Sequence, residues 1–277
     1  MEEESFATHG WRRKFASWPQ RFADDYDALA PIVVSQAAVA SKAHGKQAKS
    51  GDTADDPGAT GTSVWDGSVA LAAALLHPGG EAWRRVTAAL GGAAPTRALE
   101  LGSGTGLAGL AAAATGRLQR VTLSELPAVV PFMAANAARN LGATTQAGCE
   151  VVCEALVWGG GGEVLGAAAA LRCELVLGGD LMYRDDAVQP LLATLAACVG
   201  PGGCALLALD LDHSDTAVPS LLAGAEKVFE VERLLGEEVA HPEYSSESIC
   251  FVLLTRRKDQ VVKRKKKMLS KTPSSSR

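Results

Sequence analysis

Long apolar runs are missing from this 277-residue chain, and so are the paired cysteines of a metal knuckle. No apolar stretch reaches the ~18–20 residues that a bilayer-spanning helix needs, so no membrane partner is expected. The six cysteines (Cys149, Cys153, Cys173, Cys198, Cys204 and Cys250) form no C-x-x-C pair and lie mostly in apolar segments. That leaves little ground for a zinc site or a disulfide framework, and buried free thiols with no metal are expected instead. The opening Met1-Glu2-Glu3-Glu4 is acidic where a secretory leader carries positive charge. The expected compartment is therefore a reducing one: cytoplasm, nucleus or both.

What is present is a core. With 47% hydrophobic and 21% charged residues, the chain can bury one sizeable interior, which excludes disorder throughout. Its formal charge is −4, yet residues 256–277 hold ten basic residues against one acid, so the remainder carries −13. An acidic body repels phosphate backbones and attracts basic substrates; nucleic acid would have to be held by the tail alone.

Along the chain, residues 1–44 read as an N-terminal extension with an apolar stretch at Pro31-Ile32-Val33-Val34, able to lie over the core as helix or strand. Residues 45–62 have almost no large apolar side chain to repay ordering and read as a flexible loop. A helical pattern then begins at Trp65 and stops at His77-Pro78-Gly79-Gly80. Beyond it, short apolar runs alternate with helical segments, the pattern of a doubly wound α/β sheet. Strands are expected at Arg97–Leu101, Arg120–Leu123, Cys149–Cys153, Glu174–Leu177, Cys204–Leu209, Phe229–Leu235 and Ser248–Thr255. The clearest helices are Leu107–Ala114, Ala128–Leu141, Ala187–Val199 and Thr216–Ala225. The last two strands have no helix between them, which predicts an antiparallel pair at a sheet edge. The expected architecture is a Rossmann-like seven-stranded, mostly parallel α/β sheet over 63–258, with helices on both faces, an antiparallel last strand, and a disordered basic tail at 259–277.

The strongest chemical signal is Glu100-Leu101-Gly102-Ser103-Gly104-Thr105-Gly106-Leu107-Ala108-Gly109, between a strand and a helix. Gly102, Gly104 and Gly106 allow a sharp turn and let a ligand approach backbone amides, while the helix N-terminus favours negative charge. Gly104-x-Gly106-x-x-Gly109 also satisfies the dinucleotide fingerprint. Glu100 at the strand end opposes a pyrophosphate but suits a ligand with an ammonium, a carboxylate and a ribose, the groups of S-adenosylmethionine. Glu125, 25 residues later at the end of the second strand, can accept ribose hydroxyls in either kind of nucleoside site. Trp158 in the loop after the third strand, and Trp65 before the first helix, can each stack on an adenine or simply fill the core.

At Leu177-Gly178-Gly179-Asp180-Leu181-Met182-Tyr183 a strand ends in Asp-x-x-Tyr and runs on towards a helix. This resembles the seven-β-strand protein lysine methyltransferases of methyltransferase family 16, which carry an acid-x-x-aromatic motif after the fourth strand. Val64–Gly67, Glu100–Gly109, Val121–Pro127 with Asn136 and Asn140, and Leu156–Gly159 match in order, and the resemblance covers 64–258. It implies S-adenosylmethionine as cofactor, held by Trp65, Glu100, Gly102, Gly104, Gly106, Glu125 and Trp158. It also implies a catalytic, substrate-side role for Asp180 and Tyr183. The implied partner is a protein substrate, such as a translation factor or chaperone, methylated at a lysine by a monomeric enzyme. The chain departs from many relatives at Asp210-Leu211-Asp212-His213, where they place a basic residue; this loop is able to attract a lysine-rich target. Another methyl acceptor (histidine, arginine, RNA or a small molecule), a cofactor-fold binding protein without turnover and an NAD-linked oxidoreductase remain as alternatives.

Overall fold

The computed structural model describes residues 32–34, 60–159 and 162–257. The expected N-terminal extension apart from 32–34, the expected flexible loop up to residue 59 and the basic tail from 258 lie outside the described residues.

Seven strands form one sheet in the order β3-β2-β1-β4-β5-β7-β6. They are β1 (Arg97–Glu100), β2 (Arg120–Glu125), β3 (Glu150–Ala155), β4 (Cys173–Gly179), β5 (Val199–Asp210), β6 (Phe229–Leu234) and β7 (Ile249–Arg256). β1 to β5 pair in parallel, and β7 is antiparallel to both β5 and β6. The antiparallel arrangement expected at the edge is therefore present, with one refinement: β7 slots between β5 and β6, leaving β6 outermost.

Because strand side chains alternate faces, the sheet builds two cores. Ala98, Leu175, Leu177, Leu206 and Leu253 point into one, and Leu99, Val176, Ala205, Leu207 and Val252 into the other. The first is covered by α1 (Asp66–Leu76), α2 (Glu81–Ala89) and α3 (Leu107–Ala114), and the second by α7 (Val188–Cys198) and α8 (Ala217–Ala225). α4 (Val130–Arg139), α5 (Leu141–Gln146), α6 (Gly162–Ala170) and the short α9 (Gly236–Val239) complete the helices of the described residues. All eight residues of α3 are buried, which explains its run of alanines: a helix enclosed all round has no polar face, and small side chains let it approach both the sheet and α1.

Several boundaries differ from the sequence expectation for identifiable reasons. The helix expected over Ala128–Leu141 breaks at Asn140, whose side chain accepts from the Val33 N–H at 2.8 Å and donates to the Val33 carbonyl at 2.8 Å. This two-point clamp holds Ile32–Val34 against the first core, where Ile32 and Val34 are buried. Helix α2 follows immediately on the glycines that end α1; its Trp83 Nε1 donates at 2.8 Å to Leu75, satisfying a carbonyl left open at the α1 C-terminus. Thr60–Thr62, expected to belong to the flexible loop, forms a 3-10 turn. Arg256, grouped with the basic tail in sequence, ends β7 and donates its guanidinium to the carbonyls of Ala196 and Val199. All six thiols are free, and no helix of the described residues is long and apolar enough to cross a membrane.

Candidate active site

The strand order reverses between β1 and β4, the parallel central neighbours from which the sheet grows outward both ways. Crevices at such a point, outside the carboxyl ends of the strands, are where open α/β sheets bind ligands. Glu100, Glu125 and Asp210 end strands at this edge, Asp180 directly follows β4, and Trp158 lies in the loop after β3.

The glycine loop is held from beneath. Ser103 N–H donates to Ser124 O at 3.0 Å, Ser124 N–H donates to Ser103 Oγ at 3.0 Å, and Ser124 Oγ donates to the Glu100 carbonyl at 2.7 Å. From α4, Asn136 Nδ2 donates to Thr105 O at 3.0 Å. Gly102, Gly104 and Gly106 all have left-handed backbones, with φ of 56°, 54° and 84°. Space is also tight above them. A Cβ on Gly102 would lie 2.8 Å from Trp158 Cζ2, and one on Gly104 would lie 3.0 Å from the Gly61 carbonyl. The Thr60–Thr62 turn thus lies over the loop, and Gly61 also sits close to Glu125 Oε1.

The Glu100 carboxylate is 1% exposed and points at α3, where Oε2 accepts the Gly109 N–H at 3.1 Å. Burial raises its pKa to about 8, more than the Ser103 hydroxyl and Gly109 N–H restore, and the nearby Glu125 charge adds to the rise. Glu100 therefore braces the loop directly. Glu125, half-buried at the end of β2, is raised to about 7, again by burial, against a lowering contribution from the Leu126 N–H.

Asp180 directly follows β4 with φ 55°, the one positive φ outside glycine among the described residues. Asp tolerates this region better than most residues, and such a conformation is typical of active sites. Its Oδ2 accepts the Gly67 N–H at 2.7 Å in the first turn of α1, and Oδ1 accepts the Asp210 N–H at 3.0 Å from β5. Asp180 thus caps α1, which precedes it by more than a hundred residues, and leaves the helix that follows it uncapped. Burial raises its pKa to about 7; the Gly67 and Asp210 amides pull it down, and the charges of Asp210 and Asp66 push it up. Tyr183, three residues on, is 44% exposed at the lip. Trp65, half-buried beside the N-terminus of α1, packs edge-on to His213 with ring centroids 5.6 Å apart.

The structure therefore brings Glu100, the three loop glycines, Glu125 and Trp158 together at one crevice, and joins Asp180 to the α1 start beside Trp65. It adds Ser103 and Ser124, which sequence reasoning left without a role, and it sets Asp210 and His213, expected in a loop able to attract a lysine-rich target, against Asp180. A hydroxyl within the loop and another one residue before Glu125 were the local signals for the two serines. Asp180, Asp210 and His213 place their nearest ligating atoms within 4.8 Å of one another, but both Asp180 oxygens already accept backbone N–H groups.

A family model described as lysine methyltransferase matches residues 52–217. The chain belongs to the lysine methyltransferase family. Among its relatives, the protein N-lysine methyltransferase METTL21A of Mus musculus is 29% identical over 171 residues, 62% of this chain and 69% of that protein. METTL21A of Danio rerio is 34% identical over 99 residues, 36% of this chain and 42% of that protein. Among solved structures, a predicted O-methyltransferase from Agrobacterium tumefaciens is 19% identical with a TM-score of 0.46, covering 62% of this chain and 79% of that one.

In this lysine methyltransferase the matched stretch contains every site residue from Trp65 to His213. The donor set also fits the family's methyl donor, S-adenosylmethionine. It has turn glycines too tight for a Cβ, half-buried backbone at Gly102 and Gly104 for a carboxylate, an acid at the end of β2 for hydroxyls, and an indole against the loop for a flat base.

Proposed function

We propose that this chain transfers a methyl group from S-adenosylmethionine to the ε-amine of a lysine in a protein substrate. The observation that carries the reading is the family match across 52–217 coinciding with Asp180 held beside the glycine loop in a strained, doubly hydrogen-bonded conformation.

When bound, the cofactor supplies a methyl group on a sulfonium that a neutral amine can displace in line. The protein's task is to orient both reactants and keep water out. Glu125 accepts the ribose hydroxyls. The half-buried loop backbone at Gly102 and Gly104 would receive the carboxylate, Glu100 holds that loop against α3, and Trp158 and Trp65 would flank the nucleoside. Asp180 attracts the lysine ammonium and fixes its approach; its two backbone donors keep the carboxylate from turning away. Tyr183, at the lip, shapes the channel through which the aliphatic stem enters. The ammonium proton leaves to water before transfer.

The substrate is proposed to be a translation factor or chaperone, met by a monomeric enzyme in the cytoplasm or nucleus. Support for that compartment is the set of six free thiols. Incubating the protein with methyl-labelled cofactor and a lysate from cells lacking it, followed by acid hydrolysis, tests the reaction. Labelled Nε-methyl-lysine is expected. Label in methyl-histidine or methyl-arginine, or in no protein at all, overturns the reading.

A further inference from the structure

Strand β5 delivers a second acid beside the first. Asp210 is 3% exposed and Asp180 is 7% exposed, and two carboxylates so close and so dry repel each other. The turn that follows β5 folds His213 back onto the pair. Its Nδ1 lies 3.7 Å from Asp180 Oδ1 and its Nε2 lies 3.4 Å from Asp210 Oδ2, with the His213 side chain 7% exposed. Asp210 Oδ1 accepts the Asp212 N–H at 2.9 Å, fixing the turn that places the ring, and Trp65 packs against the ring edge-on.

Each ring nitrogen therefore faces a different carboxylate. A neutral imidazole has one N–H and can serve only one of them; an imidazolium has two and serves both. The acids shown against the ring are Asp180, directly after β4, and Asp210, at the end of β5, while Asp66 at the start of α1 adds its charge at Asp180.

We propose that His213 is a positioning residue that stands between Asp180 and Asp210 as an imidazolium and holds Asp180 in place to receive the target amine. This rests on the lysine methyltransferase reading and adds a residue to it. Removing the ring proton turns a bare nitrogen towards one of the two carboxylates, loosening the contacts that join β4, β5 and the α1 start beside Trp65.

Two measurements decide it, and the first needs no activity. Histidine ring ¹⁵N shifts of the full chain are recorded, with His213 identified by its loss in His213→Gln. Imidazolium shifts at pH 7 are expected, changing to those of a neutral tautomer in Asp210→Asn. A neutral ring in the wild type, or one indifferent to Asp210→Asn, overturns the proposal even if methyl transfer is intact. The second is the pH profile of transfer. His213→Gln should raise KM for the protein acceptor at least about fivefold and abolish one limb of the profile, with cofactor Kd within about twofold of wild type, whereas a superimposable profile overturns it. Absence of any transfer by a wild type that shows the imidazolium signature would instead sink the enzymatic reading.

Discussion

Asp180 Oδ2 accepts the backbone N–H of Gly67 at 2.7 Å, linking the end of β4 to the first turn of α1 across 113 residues of sequence. An acid at a helix N-terminus is favoured by the unsatisfied N–H groups there, and this one also holds β5 through Asp210. The family acid is thus a structural tie as well as the proposed substrate ligand.

Asp180→Asn separates the two roles. Asparagine tolerates the left-handed backbone but can present an acceptor to only one of the two N–H groups, so stability should fall by about 1–3 kcal/mol. Methyl transfer should drop at least about 100-fold, an amount set by loss of the charge that orients the amine. Denaturant titration and single-turnover transfer on the same preparation check both.

Gly109→Ala should be the most disruptive change in the glycine loop and its helix. Its Cβ would meet Leu123 Cδ2 at 2.3 Å and Glu100 Oε2 at 2.6 Å, so these buried side chains or the helix must shift. The expected cost is about 1–3 kcal/mol from overpacking, with cofactor binding impaired. Gly104→Ala, at φ 54°, should cost about 1–2 kcal/mol through backbone strain and also impair binding. Thermal melts and calorimetric cofactor titration distinguish the two.

Glu125→Ala should weaken cofactor affinity about 10- to 100-fold while leaving the fold intact, as expected for lost hydrogen bonds to a charged acceptor. Titration with adenosylhomocysteine, which lacks the transferable methyl, reads the effect without turnover.

Two acids at the cofactor crevice give the cofactor-free protein a distinctive pH response. Glu100 and Glu125 have folded pKa values raised to about 8 and 7. A raised acid binds its proton more tightly when folded, so its contribution to stability is full below its unfolded pKa and is lost as pH rises through the folded value. The melting temperature should therefore fall between about pH 5 and pH 8. Glu100→Gln, which keeps an acceptor for Gly109, should flatten that slope; an unchanged slope would show that Glu100 is ionised throughout.

Much of the fold and the ligand loop is legible locally. Alternating apolar residues place β1 to β7 within a few positions, and the Glu100–Gly109 spacing by itself marks the ligand loop. Helix α2 is harder to see, because its anchoring contact runs back from Trp83 to the end of α1. Asn140 ends its helix for a partner, Val33, more than a hundred residues away.

Sequence alone determined the seven strands and the principal helices, where the loop must turn through glycine, and which acids arrive at the carboxyl edge, because these follow from periodicity and backbone sterics within a few residues. Tertiary structure decided that Glu100 faces Gly109, that Asp180 caps α1 and that His213 lies between two acids. The order of strands in the sheet brings those partners together, and a hydrogen bond depends on which atoms meet in space and carries no trace in the spacing of either residue along the chain.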